Sequence, residues 1–174
     1  AVYIVPRAFV YAVAWRRRLP SRSSASLSVS CPLCEENGGA LLWRDPFCRI
    51  LRIDEPGYPG FLRVVLNRHV AEMTDLEPHD RERLMNCVYA AETALRTLVR
   101  PDKVNLASLG NVVPHLHWHV IGRSRDDSRY PDSVWSPPRR EVPAPAGVFA
   151  SDSSFVSALA GLLGPGESAP GAPT

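Results

Sequence analysis

The stretch NVVPHLHWHVIGR, residues 111–123, contains three of the chain's five histidines and decides how the rest of the sequence is interpreted. His115, His117 and His119 occupy every second position. The positions between and after them are apolar, namely Leu116, Trp118 and Val120. In a β-strand, alternate side chains point to the same face of the sheet. The pattern therefore predicts a strand over residues 115–122 with the imidazoles on one face and the apolar side chains in the core behind them.

Three histidines in strict alternation indicate chemistry, although a single histidine is more often a surface or hydrogen-bonded core residue. The residues alone leave two kinds of chemistry open. Imidazoles two positions apart on a strand can share a zinc ion. Alternatively, a neutral imidazole can attack phosphorus while neighbouring donors stabilise the oxygens that gain charge. Under the second interpretation the middle residue, His117, is flanked by the other two.

The remaining elements predict an α+β domain. Apolar, partly β-branched runs predict strands at 41–44, 48–53, 61–66 and 104–108, with a turn at Asp45-Pro46 between the first two. Between residues 78 and 101, apolar positions recur on one helical face: Leu84, Val88, Ala91, Leu95 and Leu98. Pro78 suits the first turn and Pro101 stops the helix. One long helix among about five short strands favours a mainly antiparallel sheet.

Composition divides the chain into three parts. Residues 1–30 form a leader rich in Arg and Ser and without acidic residues, which predicts either a transit-peptide-like, disordered segment or a stretch translated from upstream of the true start. We expect the functional domain at 31–135 and a Pro-rich tail at 136–174. Within the tail, a short helix is predicted near 152–163, started by Asp152 and ended by Gly164, with Phe155, Leu159 and Leu162 on one face.

Charge and hydropathy restrict the classes of partner. From Cys31 onward there are 18 acidic residues against 15 Lys and Arg, so the domain lacks the clustered basic surface that nucleic-acid binding needs. No apolar run reaches the roughly 18 residues of a membrane span. We therefore expect a soluble, cytoplasmic protein with no nucleic-acid or membrane partner. Cys48 and Cys87 are expected in the core and His79 in solvent.

The sequence His-Leu-His-Trp-His-Val-Ile resembles the His-φ-His-φ-His-φ-φ signature of the histidine-triad (HIT) nucleotide hydrolases and transferases, where φ is an apolar residue. The resemblance covers about residues 31–135 and includes the pair Cys31 and Cys34, the strand FLRVVLNRHV before the helix, and Gly110-Asn111 before the triad. It is strongest to the bacterial HIT proteins that resemble diadenosine tetraphosphate hydrolase. It implies a HIT-like fold and a homodimer formed through the long helix and a strand.

The resemblance also implies roles for individual residues. His117 would attack the α-phosphate of a nucleotide, forming a nucleotidyl-histidine that water then hydrolyses. His119 would contact the phosphate and help to protonate the leaving group, and the backbone carbonyl of His115 would fix the tautomer of His117. Asn111 and Asn105 would bind phosphate oxygens, and Asp54 the ribose hydroxyls. The implied substrates are dinucleoside polyphosphates or nucleoside phosphoramidates.

One position departs from the family pattern. Many members carry a histidine after a Pro-Gly at the start of the third strand, where this chain has Phe61. Any contribution of that histidine to leaving-group chemistry is absent here, so substrate preference cannot be copied from members that have it. Trp135 resembles the family's aromatic segment after the triad, with packing as its simpler role and a position at the substrate edge or dimer contact as the alternative.

A structural zinc site is implied by the same resemblance. In zinc-bearing relatives a Cys-x-x-Cys pair, a histidine after the third strand and the first triad histidine bind the metal. The matching residues here are Cys31, Cys34, His69 and His115. A Cys₂His₂ set is a closed tetrahedral site with no position for a catalytic water. His115 cannot both bind zinc and act as a free base.

Two other functions remain open at this stage. In a metal-dependent hydrolase, the three histidines would hold a catalytic zinc, and a chelator would abolish activity. In a non-enzymatic nucleotide sensor, the pocket would bind nucleotide without forming a nucleotidylated protein.

Overall fold

The computed structural model describes residues 30–141 and 150–167. A single turn of helix, α1 (Pro32–Glu35), precedes three strands: β1 (Ala40–Arg44), β2 (Cys48–Arg52) and β3 (Phe61–Leu66). A 3₁₀ turn (Met73–Asp75) leads into the long helix α2 (Pro78–Leu98). Strands β4 (Lys103–Ala107) and β5 (His117–Arg123) follow, and helix α3 (Asp152–Leu163) comes last. Most of the predicted leader lies outside the described residues.

The five strands form one antiparallel sheet in the order β1-β2-β3-β5-β4, which confirms the predicted α+β class. The β1–β2 turn forms where Asp45-Pro46 predicted it, because the Asp45 carboxylate accepts hydrogen bonds from the backbone N–H groups of Phe47 and Cys48 at 2.8 and 2.7 Å. The last of these five strands along the chain, β5, lies inside the sheet between β3 and β4.

Helix α2 packs on one face of the sheet with the side predicted from its apolar period. Leu84, Val88, Ala91 and Leu95 are buried and Leu98 packs against them. The helix approaches β5 closely at Gly122, where a Cβ atom would lie 3.1 Å from the Leu95 side chain and 3.3 Å from the Gly60 carbonyl oxygen. Glycine at this position therefore sets how near α2 lies to the sheet.

Helix α3 is part of the same core, although the sequence places it in a tail outside the domain. Phe155 and Leu159 are fully buried, and α3 contacts α2 and β1. The indole N–H of Trp43 also donates to the carbonyl of Gly164, at 3.1 Å. The boundary at residue 135 therefore leaves out a helix that completes the core, because proline content marks the linker but gives no sign of where the chain returns.

Two details of α3 were predicted wrongly. Ser151 caps the helix, with its hydroxyl accepting from the N–H of Ser154, whereas the Asp152 carboxylate is ion-paired with Arg52 at 2.7 Å. Leu162 is 49% exposed, so it does not share the buried face of Phe155 and Leu159. Gly164 ends the helix as predicted, with φ of 88°.

The opposite face of the sheet carries the polar residues. Because side chains alternate along β3 and β5, Val64, Trp118 and Val120 point towards α2, whereas Arg63, His117 and His119 point away from it. Cys48 and Cys87 are buried and His79 is exposed, as expected. Within the described parts of the chain, no helix has the length and apolar character that a membrane crossing requires.

Candidate active site and metal cluster

The regular strand begins at His117, two residues later than predicted, which separates His115 from the other two histidines. The ladder between β3 and β5 starts at the pair Val65 and His117. Just before it, the N–H of His115 donates to the carbonyl of Val113 in a tight turn around Pro114, at 2.8 Å. His117 and His119 therefore share a face, whereas the ring of His115 lies among the cysteines. The prediction of three imidazoles on one strand was wrong at His115.

His117 is 7% exposed, and its tautomer is fixed by the backbone. Its Nδ1 lies 2.6 Å from the carbonyl oxygen of His115. Since a carbonyl can only accept, Nδ1 carries the proton and Nε2 keeps its lone pair. Burial lowers the pKa of His117; the carbonyl bond raises it, and the charge of Arg63 lowers it further. The ring is therefore a neutral base with a free nitrogen at neutral pH.

His119 has the same burial but no fixed partner. Its Nδ1 is buried and has no hydrogen-bond partner among the described residues. The ring contacts His117, Phe61 and Trp135 edge-on, with centroids 4.9, 5.6 and 5.2 Å away. Burial, then the charge of Arg63 and the neighbouring His117, lower the pKa of His119 to about 4. A buried polar atom without a partner is uncommon in folded proteins.

Both histidines open into a cavity of about 470 Å³. Asn111 and the turn at Gly110, which has φ of +67°, form one side of the cavity, as their place before the triad suggested. Trp135, 53% exposed, lines the edge of the same cavity. The structure therefore brings Asn111 and Trp135 to the two histidines.

Asn105 and Asp54 lie elsewhere in the structure. Asn105 is on β4 opposite Ile121, and its side-chain oxygen accepts a hydrogen bond from Arg123 at 2.9 Å. Asp54 is exposed, pairs with Arg52 and lines a separate depression of about 350 Å³. Neither residue lines the cavity of His117 and His119.

Arg63 also lines the cavity, a place that the sequence pattern did not predict. It is directly opposite His119 in the β3–β5 ladder and lines the cavity with both histidines. The signal was present in the sequence as the one charged residue in the strand FLRVVL. The sequence of one strand does not show which residue of the neighbouring strand such a side chain faces. That depends on the register between the two strands.

The second cluster consists of Cys31, Cys34, His69 and His115, whose ligand atoms all lie within 4.8 Å of one another. The turn of α1 places both thiols on one side, and each Sγ is 3.4 Å from Nδ1 of His115. Cys34 Sγ is also 3.4 Å from Nδ1 of His69. The carbonyl of Leu66 accepts from Nε2 of His115 at 2.6 Å, so Nδ1 faces the thiols with its lone pair. This arrangement is compatible with a metal ion.

Comparison with known proteins shows the family and the fold. Residues 35–126, more than half of the chain, match the HIT domain model. A histidine triad protein from Bradyrhizobium japonicum is 28% identical and aligns over 73% of this chain and 92% of its own, with a TM-score of 0.56. One from Marinobacter aquaeolei VT8 is 26% identical over 73% of this chain and 88% of its own, with a TM-score of 0.51.

A hypothetical histidine triad nucleotide-binding protein from Sulfolobus tokodaii strain7 shares the fold at 19% identity, over 72% of this chain and 89% of its own, with a TM-score of 0.52. No curated protein matches the chain at a significant level.

Proposed function

The chain belongs to the histidine-triad family, and from that premise we propose that it is a nucleotide phosphohydrolase that acts through a nucleotidyl-histidine. Its substrates are dinucleoside polyphosphates or nucleoside phosphoramidates, cleaved at the α-phosphate. The observation that supports this most directly is the state of His117, which is buried beside a cavity, neutral and held by a carbonyl so that Nε2 is unprotonated. A transferase would use the same intermediate with an acceptor other than water.

The reaction has two displacements at phosphorus. In the first, the Nε2 lone pair of His117 forms a bond to the α-phosphorus, and the bond to the leaving group breaks with its electron pair on the departing atom. In the second, water attacks phosphorus, the P–N bond breaks and its pair returns to Nε2, and the protons of water pass to solvent. The products are a nucleoside monophosphate and the leaving group.

Other residues of the cavity would bind the phosphate. We assign the side chain of Asn111 to a phosphate oxygen and the free nitrogen of His119 to the phosphate and the leaving group, because both line the cavity with His117. The roles of Asn105 at the phosphate and of Asp54 at the ribose stay proposals from the resemblance. Each of these side chains is bonded to an arginine in the structure and would have to leave it to reach the substrate.

We propose that Cys31, Cys34, His69 and His115 hold a structural zinc ion. The sulfur–nitrogen separations of 3.4 Å are close to the edge of a tetrahedron with zinc bonds of about 2.0–2.3 Å. The bond from His115 to the Leu66 carbonyl is the outer contact that metal-binding histidines make. Zinc would supply no chemistry here beyond fixing these segments.

The homodimer remains part of the proposal. It rests on the resemblance, since one exposed aromatic side chain on α2, Tyr89, is ordinary for a protein surface.

The test is rapid-quench intact-mass spectrometry of the wild type, His117→Ala and His79→Ala with diadenosine tetraphosphate and with an adenosine phosphoramidate, with and without chelator. We expect an adenylyl adduct on the wild type and on His79→Ala, whose histidine is exposed. His117→Ala should form none and lose at least about 10³-fold in kcat.

Two results would contradict the proposal. Hydrolysis that forms no adduct and stops with chelator would indicate the metal-dependent hydrolase, in which the three histidines hold zinc. Nucleotide binding without adduct or turnover would indicate the sensor. The geometry does not favour the metal-dependent hydrolase, since the described Cys and His cluster contains His115 together with cysteines and not His117 or His119.

A further inference from the structure

Arg63 places a permanent positive charge in the cavity of the proposed nucleophile. It is the central charged residue of β3 and lies opposite His119, whereas Val65 lies opposite His117. Directly opposed residues of an antiparallel pair project from the same face, with Cβ atoms about 5 Å apart. Arg63 and His119 therefore project from the same face into the same cavity, where the guanidinium lies at the Gly38 carbonyl.

The charge of Arg63 is not neutralised within the described part of the protein. Nη1 donates one hydrogen bond, to the Gly38 carbonyl at 3.3 Å, and Nε is buried without a partner. No carboxylate of the described residues forms an ion pair with it, including that of Glu36 on the cavity wall. A half-buried cation without a counter-ion is costly unless an anion binds beside it. The cavity is therefore prepared for a negatively charged group.

Resting on the proposed function, we propose that Arg63 binds the departing phosphate and makes the site selective for phosphoric anhydrides, such as dinucleoside polyphosphates, over phosphoramidates. When His117 displaces an anhydride, the electron pair of the breaking P–O bond moves to the bridging oxygen. The leaving phosphate then carries one more negative charge, which a forked guanidinium stabilises through parallel N–H···O bonds.

A phosphoramidate requires a proton for its leaving group and not a positive charge beside it. When its P–N bond breaks, the electron pair remains on nitrogen, and the amine leaves readily only if it has received a proton. Arginine cannot supply that proton, because a guanidinium holds its protons too tightly to act as an acid in a protein. Phe61, whose ring centroid lies 5.6 Å from that of His119, has none to give. With a pKa of about 4, His119 itself carries no extra proton at neutral pH. The groups around His119 thus suit a leaving group that departs as an anion.

The experiment compares kcat/KM of the wild type, Arg63→Met and Arg63→Lys on diadenosine tetraphosphate and on an adenosine phosphoramidate. The wild type should prefer the anhydride. Arg63→Met should lose about 10²–10³-fold on the anhydride, mainly in kcat, and less than about tenfold on the phosphoramidate. Arg63→Lys, which keeps the charge but not the fork, should recover part of the anhydride loss.

Arg125→Met is the matched control, because that side chain is 77% exposed and lies outside the cavity. Its kcat/KM on both substrates should equal that of the wild type. The melting temperature of Arg63→Met should be equal to or higher than that of the wild type, since an unpaired cation has been removed. A purely structural Arg63 would instead lower the melting temperature and reduce turnover of both substrates alike.

The outcomes separate the two proposals. Adduct formation by the wild type with equal losses on both substrates in Arg63→Met, or a wild type that prefers the phosphoramidate, overturns the assignment of Arg63 alone. If Arg63→Met does not fold, the substrate ratio of Arg63→Lys decides in the same way. A wild type that forms no adduct with either substrate overturns the proposed function, and this inference with it.

Discussion

At the scale of single residues, His117 and His119 differ by their hydrogen bonds and not by their burial. Both are less than 8% exposed, but a carbonyl fixes Nδ1–H of His117 while Nδ1 of His119 has no partner among the described atoms. A fixed tautomer suits a nucleophile, because the attacking nitrogen is always unprotonated. A buried nitrogen without a partner suits contact with a substrate that arrives later.

The low pKa of His119 predicts a loss of stability in mild acid. Its pKa is about 4 in the folded protein and about 6.5 in an unfolded chain, so the unfolded state binds more protons between these values. The free energy of unfolding should therefore be highest above pH 6.5 and fall by up to about 3 kcal/mol as the pH drops towards 4.

Urea unfolding of the wild type and His119→Gln between pH 4 and 7 measures this effect. The variant keeps the cluster of Cys and His residues. The difference between the two curves of unfolding free energy against pH therefore gives the contribution of His119. Parallel curves over this range would show that His119 is already protonated or exposed in the folded state.

At the scale of elements, successive side chains of β5 point alternately into the core and into the cavity. Its inward residues pack on α2 and its outward residues line the cavity, so one strand supplies both core side chains and the wall of the candidate site. Helix α3 supports this arrangement from the same side as α2, where it covers the edge of the core beside β1.

Loss of the buried side chains of α3 should therefore destabilise the whole domain. Phe155→Ala removes a fully buried ring from the main core and should cost about 3–5 kcal/mol of unfolding free energy. Leu162→Ala, on the same helix but 49% exposed, should cost less than about 1 kcal/mol. Chemical denaturation measures both, and equal effects would mean that α3 is not docked in solution.

At the scale of the whole molecule, the Cys and His cluster joins segments that are distant in sequence. It ties the described N-terminal end at Cys31 and Cys34 to the chain after β3 and to the residue two positions before β5. The carbonyl that orients His117 belongs to His115, which is itself in the cluster. The proposed zinc would therefore hold the segment that leads into β5 without lining the cavity of His117 and His119.

Metal removal should lower stability more than it affects chemistry. The purified protein should contain about one equivalent of zinc, Cys34→Ser should lose it, and His79→Gln should retain it. Chelator should lower the melting temperature by several degrees while the adduct on His117 still forms. Elemental analysis and thermal unfolding test this prediction. The structural site would be ruled out if the purified protein contained no zinc and its melting temperature did not change on addition of chelator.

The sequence by itself determined the α+β class, the face of α2, all five strands to within two residues and the residues of the triad. These follow from local periodicity, which depends only on the geometry of a strand or a helix. It also determined the family, because the triad signature and its neighbours lie close together along the chain.

Only the tertiary structure decided the docking of α3, the turn that directs His115 to the cysteines and the place of Arg63 opposite His119. Each depends on which distant segments become neighbours, and period and composition carry no such information. Sheet register in particular is set by the packing of the whole core, so a lone arginine in an apolar strand acquires its role only when the facing strand is in place.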